Sequence, residues 1–153
     1  MNEDNNVKTV KDAYLAFKDH NIPALLRCLT GDVRWFLIGP PDLIPTAGTR
    51  KGCEQVEEFF ATLEAIGEIQ SFRPQDFVAE GDKVVAMGEL QARVKSTGKL
   101  IDSPWVHVFT LRDRKISEFR SFFDSAAAVT ALDGARFRAA KAETSRPRRQ
   151  AIL

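Results

Sequence analysis

A chain of 153 residues with two cysteines, two histidines and one tyrosine has little material for several kinds of chemistry. Cys28 and Cys53 stand without metal-ligand spacing and build no disulfide framework, so neither a metal nor a stapled fold is expected. No segment approaches the roughly 18 apolar residues of a membrane-crossing helix, and no membrane partner is expected. The start MNEDNNVK is charged and Asn-rich rather than apolar, which makes a cytoplasmic location with reduced thiols the expectation. Net charge is only +1, giving no overall electrostatic reason for nucleic acid. Glycines form no phosphate-binding fingerprint, no Ser, His, Asp triad order is visible, and there is no internal repeat.

What remains is the composition of an ordinary soluble core, with 44% hydrophobic and 28% charged residues. One domain is expected over residues 1–133. Residues 134–153 carry six basic residues against Glu143, a local charge of +5 that leaves the rest of the chain at −4 within the total of +1. This basic tail reads as partly helical or disordered, and a solvated terminus is preferred over a nucleic-acid arm.

Val7, Val10, Tyr14 and Phe17 recur at helical spacing over about residues 6–19, and Asn21 with Pro23 marks a second short helix through Leu29. After Gly31 the period changes, and Val33, Trp35 and Leu37 alternate as a strand. Three prolines and three glycines in GPPDLIPTAGTRKG, residues 39–52, predict an ordered loop or lid. Helical spacing returns from Glu54 to Ala65. Four strands follow, at about 68–79, 83–95, 100–111 and 115–123, and the run from Ser125 favours a helix. The fold class is α+β, in the order ααβαββββα, a curved antiparallel sheet wrapped round N-terminal helices. A sheet of that kind leaves a cavity where helices fail to fill the cone.

The stretch PWVHVFTLRDRKISEFRSFFD, residues 104–124, concentrates the chemistry. Trp105, His107, Phe109 and Leu111 share one face of the first strand, and Ser117, Phe119, Ser121 and Phe123 share one face of the second. A turn at Asp113 and Arg114 sets His107 beside Ser121, Phe109 beside Phe119 and Trp105 beside Phe123. A two-residue turn at Thr97 and Gly98 sets Gly88 beside His107, leaving room next to the imidazole, and Leu90 beside Trp105. Glu89 falls on the opposite face, towards a partner or solvent. Outside this stretch, His20 in DHNIP reads as exposed and Cys53 as an inert thiol.

The segments AYLAFKDHNIPALLRCLTGDVRWFLIG, PTAGTRKG entering QVEEFFATL, STGK, WVHVFTLRDRKI and FRSFFD, in this order and spacing, resemble the SnoaL-like polyketide cyclase branch of the nuclear transport factor 2-like fold. Ketosteroid isomerases and limonene epoxide hydrolases share that fold. The resemblance covers about residues 6–130. It implies an open cone with a deep pocket, a homodimer formed through the sheet, and neither metal nor organic cofactor.

Carried over residue by residue, the resemblance removes some chemistries. The isomerase general base falls at Leu37, so that base is absent, while the tyrosine donor falls at Ala13 or Tyr14 and the acid donor at or beside His107. The polar groups of the epoxide hydrolases fall at Gly88, Leu90 and Ser121 and are missing. The dehydratase His and Asp dyad would have His107 without an aspartate on its face. The cyclase carboxylate corresponds to Asp124, but alternation places Asp124 with Arg120 and Phe122, opposite the His107 set. A pocket role and a helix cap at the start of SAAAV both remain open for it.

The candidate catalytic residues are therefore His107, Asp124, Tyr14 and Ser121. Trp35, Gly88, Leu90, Trp105, Phe109, Phe119 and Phe123 are the candidate ligand wall, for a small apolar or carbonyl-containing molecule. Two functions stay open: a cyclase or isomerase that abstracts a proton next to a carbonyl, and a non-catalytic ligand-binding or dimeric interaction module.

Overall fold

In the computed structural model, which describes residues 2–132, the chain begins with helix α1, Glu3–Lys18. The Asn2 side chain accepts the Asn5 N–H at the first turn, where Glu3 and Asp4 face the positive end of the helix dipole. Its inward stripe is small as well as apolar, with Val10, Ala13 and Ala16 buried, so it packs close to the sheet. His20 at φ 56 turns the chain, and Asn21 caps the short helix α2, Ile22–Leu26, by accepting the Ala24 N–H at 3.1 Å.

Strand β1 spans Leu29–Leu37 and starts earlier than the alternation after Gly31 suggests. Ile116 N–H donates to the Cys28 carbonyl at 2.8 Å and Leu29 pairs with Ile116, which draws these residues out of the helix and into the sheet. The pairing then shifts register before Arg34, so alternation becomes visible only beyond Gly31. The loop expected over residues 39–52 is also shorter than its prolines suggest. Gly48–Lys51 forms β2, an antiparallel edge strand against Arg34–Leu37. Proline removes ladder donors only at residues 40, 41 and 45, and the backbone is free to pair from Gly48 onward.

Helix α3, Gly52–Ile66, buries Val56 and Phe59. Strands β3 (Gly67–Glu80), β4 (Lys83–Val94), β5 (Leu100–Arg112) and β6 (Lys115–Phe123) then form an antiparallel meander, followed by helix α4, Ser125–Leu132. The observed order is thus ααββαββββα, and the sheet reads β2-β1-β6-β5-β4-β3, with β1 and β6 the parallel pair. The helices α1 and α3 lie in its concave face, where Val10, Val33, Val56, Val84 and Phe109 share one buried cluster. Each large apolar side chain so buried contributes roughly 1.5–3 kcal/mol. No helix among the described residues is long and apolar enough to cross a membrane.

Asp113 and Arg114 both adopt left-handed φ, 53 and 65, as a tight two-residue hairpin demands. The β5–β6 register is the one alternation gives: Trp105 opposite Phe123, His107 opposite Ser121, Phe109 opposite Phe119. Beyond Thr110 a bulge pairs Leu111 with Ile116, so Ile116 is buried and Ser117 slips out of the inward row, its hydroxyl donating to the Thr110 carbonyl at 3.1 Å. The β4–β5 register differs from expectation by two residues: Gly88 pairs with Trp105, Leu90 with Ser103, and Ala86 with His107. The cause is the connection. Arg93 pairs with Leu100, and a longer loop with Gly98 at φ 74 replaces the two-residue turn at Thr97 and Gly98. Because the shift is even, every side chain keeps its face. The basic tail falls outside the described residues.

Candidate functional site

Helices and strands from most of the described chain converge on one cavity of about 180 Å³ inside the cone. Helix α1 supplies Tyr14, β1 supplies Trp35 and Leu37, β4 Leu90, β5 Trp105, His107 and Phe109, and β6 Phe119, Ser121 and Phe123. The expected wall residues are thereby brought together except Gly88, and the expected catalytic residues except Asp124.

At the floor, Tyr14 Oη lies 2.7 Å from His107 Nδ1. Burial drives His107 down to about 3, because a cation in that apolar setting has lost its water. Burial raises the Tyr14 hydroxyl for the matching reason, the loss of solvation for a phenolate. Both groups are neutral at pH 7. The imidazole lies against the Trp105 indole, with ring centres 4.1 Å apart and planes at 22°, and meets the Phe119 ring at 4.7 Å and 66°. Ser121 is directly opposite His107 and buried, yet among the described residues no hydrogen bond joins the two; the imidazole's partner is Tyr14. A hydroxyl and an imidazole, hydrogen-bonded and sealed by aromatics, can donate to a carbonyl oxygen and accept a proton.

Gly88 does not line the cavity. A Cβ there would meet Trp105 Cζ2 at 2.4 Å and the Arg73 carbonyl oxygen at 2.2 Å, so the space next to the imidazole is already filled by the indole. Asp124 is exposed and lies outside the cavity. Its Oδ1 accepts the Ala127 N–H at 3.0 Å, capping α4, while its own N–H donates to Ser103 Oγ at 2.9 Å. Ser103 is wholly buried, so this bond ties the strand end to β5 with the carboxylate turned outward. Of the two roles open to Asp124, the contacts support the cap.

Ile44, Thr46 and Arg50 are not among the expected site residues. Ile44 and Thr46, from the proline-rich loop, close part of the cavity wall. Arg50 holds that loop: its guanidinium donates to the carbonyls of Pro45, Thr46 and Ala47 and sits 5.2 Å from the Phe59 ring centre. The pattern of an arginine shortly after PTAG is the available sequence signal. Phe17, Phe59, Phe60 and Phe72 complete the aromatic lining, the first visible in the stripe of α1 and the next two as the inward spacing of α3. Among the described residues no three of His, Cys, Asp and Glu converge as metal ligands.

The family model for the SnoaL-like domain matches residues 10–119. The chain belongs to the SnoaL-like family. Among solved structures this SnoaL-like chain is similar to a nuclear transport factor 2-like protein from Burkholderia xenovorans LB400, with 30% identity over 87% of this chain and 99% of that one and a TM-score of 0.79. It is also similar to TerC, crystallised with polyporic acid, at 25% identity, 84% and 98% coverage and a TM-score of 0.77. A third is described as a SnoaL-like polyketide cyclase from Jannaschia sp. CCS1, at 26% identity, 85% and 92% coverage and a TM-score of 0.71. No curated protein matches the chain. The family supports a small-molecule isomerase or cyclase fold.

Proposed function

We propose that the cone binds a flat, apolar, carbonyl-bearing molecule and isomerises or cyclises it by proton transfer next to that carbonyl. The observation that carries this reading is the Tyr14–His107 hydrogen bond at 2.7 Å, polar and neutral, inside a mostly apolar cavity. With His107 Nδ1–H donating to Tyr14 Oη, the Tyr14 O–H is free to donate to the ligand carbonyl and His107 Nε2 to take the proton from the adjacent carbon. An imidazolium and an enolate then form together. The pair stays neutral as a whole, which avoids the lone buried cation that holds free His107 down to about 3. The Trp105 face at 4.1 Å stabilises the imidazolium further. TerC, crystallised with polyporic acid, supports a small organic molecule as the ligand class.

Exchange of the α-protons of 1-tetralone in D₂O, followed by NMR, tests the proposal. The expected outcome is catalysed exchange that falls about 10²–10⁴-fold in His107→Gln, the usual weight of a general base, and about 10²–10³-fold in Tyr14→Phe, the usual weight of an oxyanion donor. A specific observation favours a second reading, binding without turnover: among the described residues the lining of the cavity includes no carboxylate, and the base is neutral at rest. Tight ketone binding with no exchange above the uncatalysed rate would select it.

The outer face of the sheet supports a homodimer. Met87, Val106 and Phe122 form one outward row, and Val106 and Phe122 are 37% and 42% exposed. A second copy would cover this apolar row through the same patch. Light scattering should give twice the chain mass, and Phe122→Glu should return the monomer. A monomeric wild type at micromolar concentration rules the pairing out.

A further inference from the structure

The orientation of the imidazole poses a question that the Tyr14 hydrogen bond alone does not answer, since one bond to Nδ1 leaves the ring free to swing about it. Trp105 and His107 are two apart on β5 and share the inward face, so their rings lean on one another along the strand. The indole in turn lies flat on Phe72, ring centres 4.8 Å apart and planes at 4°. Phe72, Trp105 and His107 thus form one stack, and Tyr14 closes it at 26° to the imidazole.

The indole is held in this stack by shape alone. Its Nε1–H is buried and has no hydrogen-bond partner among the described residues, so no polar anchor sets its rotation. What sets it is the place where it lies. Gly88 is the residue of β4 directly opposite Trp105, and the six-membered ring passes over it: a Cβ at 88 would lie 2.4 Å from Cζ2 and 2.9 Å from Cε2. Gly88 has no left-handed φ to account for it; the close approach of the indole and of the Arg73 carbonyl is what the position requires.

We propose that Trp105 is the positioning residue for His107, and that the bare backbone at Gly88 is the recess that lets the indole lie flat enough to fix the imidazole against Tyr14. The inference deepens the proposed acid–base role of His107, but the arrangement it concerns exists in the free protein and is measured there.

The experiment is a ¹⁵N-detected imidazole spectrum at pH 7 of the full chain, which has only two histidines, His107 and the exposed His20 as internal reference. Wild type should show His107 in a single tautomer with one nitrogen hydrogen-bonded. Trp105→Leu removes the flat surface and should shrink that tautomer preference about tenfold, the scale of one net hydrogen bond. Trp105→Phe keeps a flat ring and should restore most of it. Trp35→Leu is the control, since Trp35 is as buried as Trp105 and lines the same cavity but stacks on Phe119 at 4.0 Å rather than on the imidazole. It should lower stability and leave the His107 signals in place.

Gly88→Ala should reproduce the Trp105→Leu spectrum where it folds, and the tryptophan variants decide the matter where it does not. An unchanged His107 spectrum in Trp105→Leu, or an equal change in Trp35→Leu, overturns the proposal. Loss of ketone exchange in a protein with an intact His107 tautomer would instead count against the proposed reaction, so the two failures are distinguishable.

Discussion

Two rows of side chains leave the same β5–β6 hairpin in opposite directions and meet opposite physics. The inward row carries Trp105, His107 and Phe109 against Phe123, Ser121 and Phe119; the outward row carries Val106, Val108 and Thr110 against Phe122, Arg120 and Glu118. Both are held by the same ladder. Outward, the polar groups are charged: Arg120 pairs with Glu118 at 2.7 Å and lies over the Phe36 ring at 4.4 Å, with water close by to solvate what the pair does not. Inward, the polar groups are those that remain neutral without water, an imidazole and a hydroxyl, and the Tyr14 phenol meets the imidazole from α1. The same alternation therefore sorts residues by the cost of desolvation as well as by hydrophobicity, and the few polar groups that pass inward are the ones able to handle a proton.

The comparison is broken or sharpened most strongly by deleting one aromatic from each row. Phe119→Ala should cost about 3–5 kcal/mol in denaturant unfolding, the range for a buried phenylalanine, whereas Phe122→Ala should stay within about 0.5 kcal/mol for the monomer. Equal losses would mean that the outer row is as well covered as the inner.

Acid gives the next largest effect. His107 is held at about 3 in the fold against 6.5 in the open chain, so between those values the unfolded chain binds one more proton and stability falls as pH is lowered. From pH 7 to pH 4 wild type should lose about 3 kcal/mol more than His107→Gln, at about 1.36 kcal/mol for each pH unit spanned. Matching pH profiles for the two proteins would show that His107 is not desolvated.

Tyr14→Phe leaves a buried imidazole nitrogen without its partner and should cost about 2 kcal/mol in the same unfolding measurement. Asp124→Ala removes a cap from the outward side and should cost about 1 kcal/mol. It should also leave ketone exchange unchanged, and a loss of exchange in this variant would return the carboxylate to the chemistry.

Much of this arrangement can be read in the chain because strand parity is local. His107 opposite Ser121 follows from one turn at Asp113 and Arg114, whose length leaves a single register. The β4–β5 register was not recoverable in that way, since STGK allows a two-residue turn or a longer loop with Gly98 left-handed, and only packing decides. The parallel contact between β1 and β6 brings Leu29 to Ile116 across most of the chain, beyond the reach of any periodicity. The cone itself was legible through family resemblance and element order, although the short strand β2 was hidden behind prolines. The Tyr14–His107 bond joins a helix stripe to a strand face 93 residues away, so each residue could be named as a candidate while strand parity offered only Ser121 as the imidazole's neighbour. Asp124 shows the converse, since its parity placed it outside the cavity and the cap geometry agrees.

Arg50 spends its donors on three successive carbonyls of the loop whose Ile44 and Thr46 close the cavity. Any swing of that loop away from the cone must break these bonds together or carry the arginine off the Phe59 ring. This wall of the cavity is therefore tied through one side chain to helix α3, so that loop and helix answer to the same arginine.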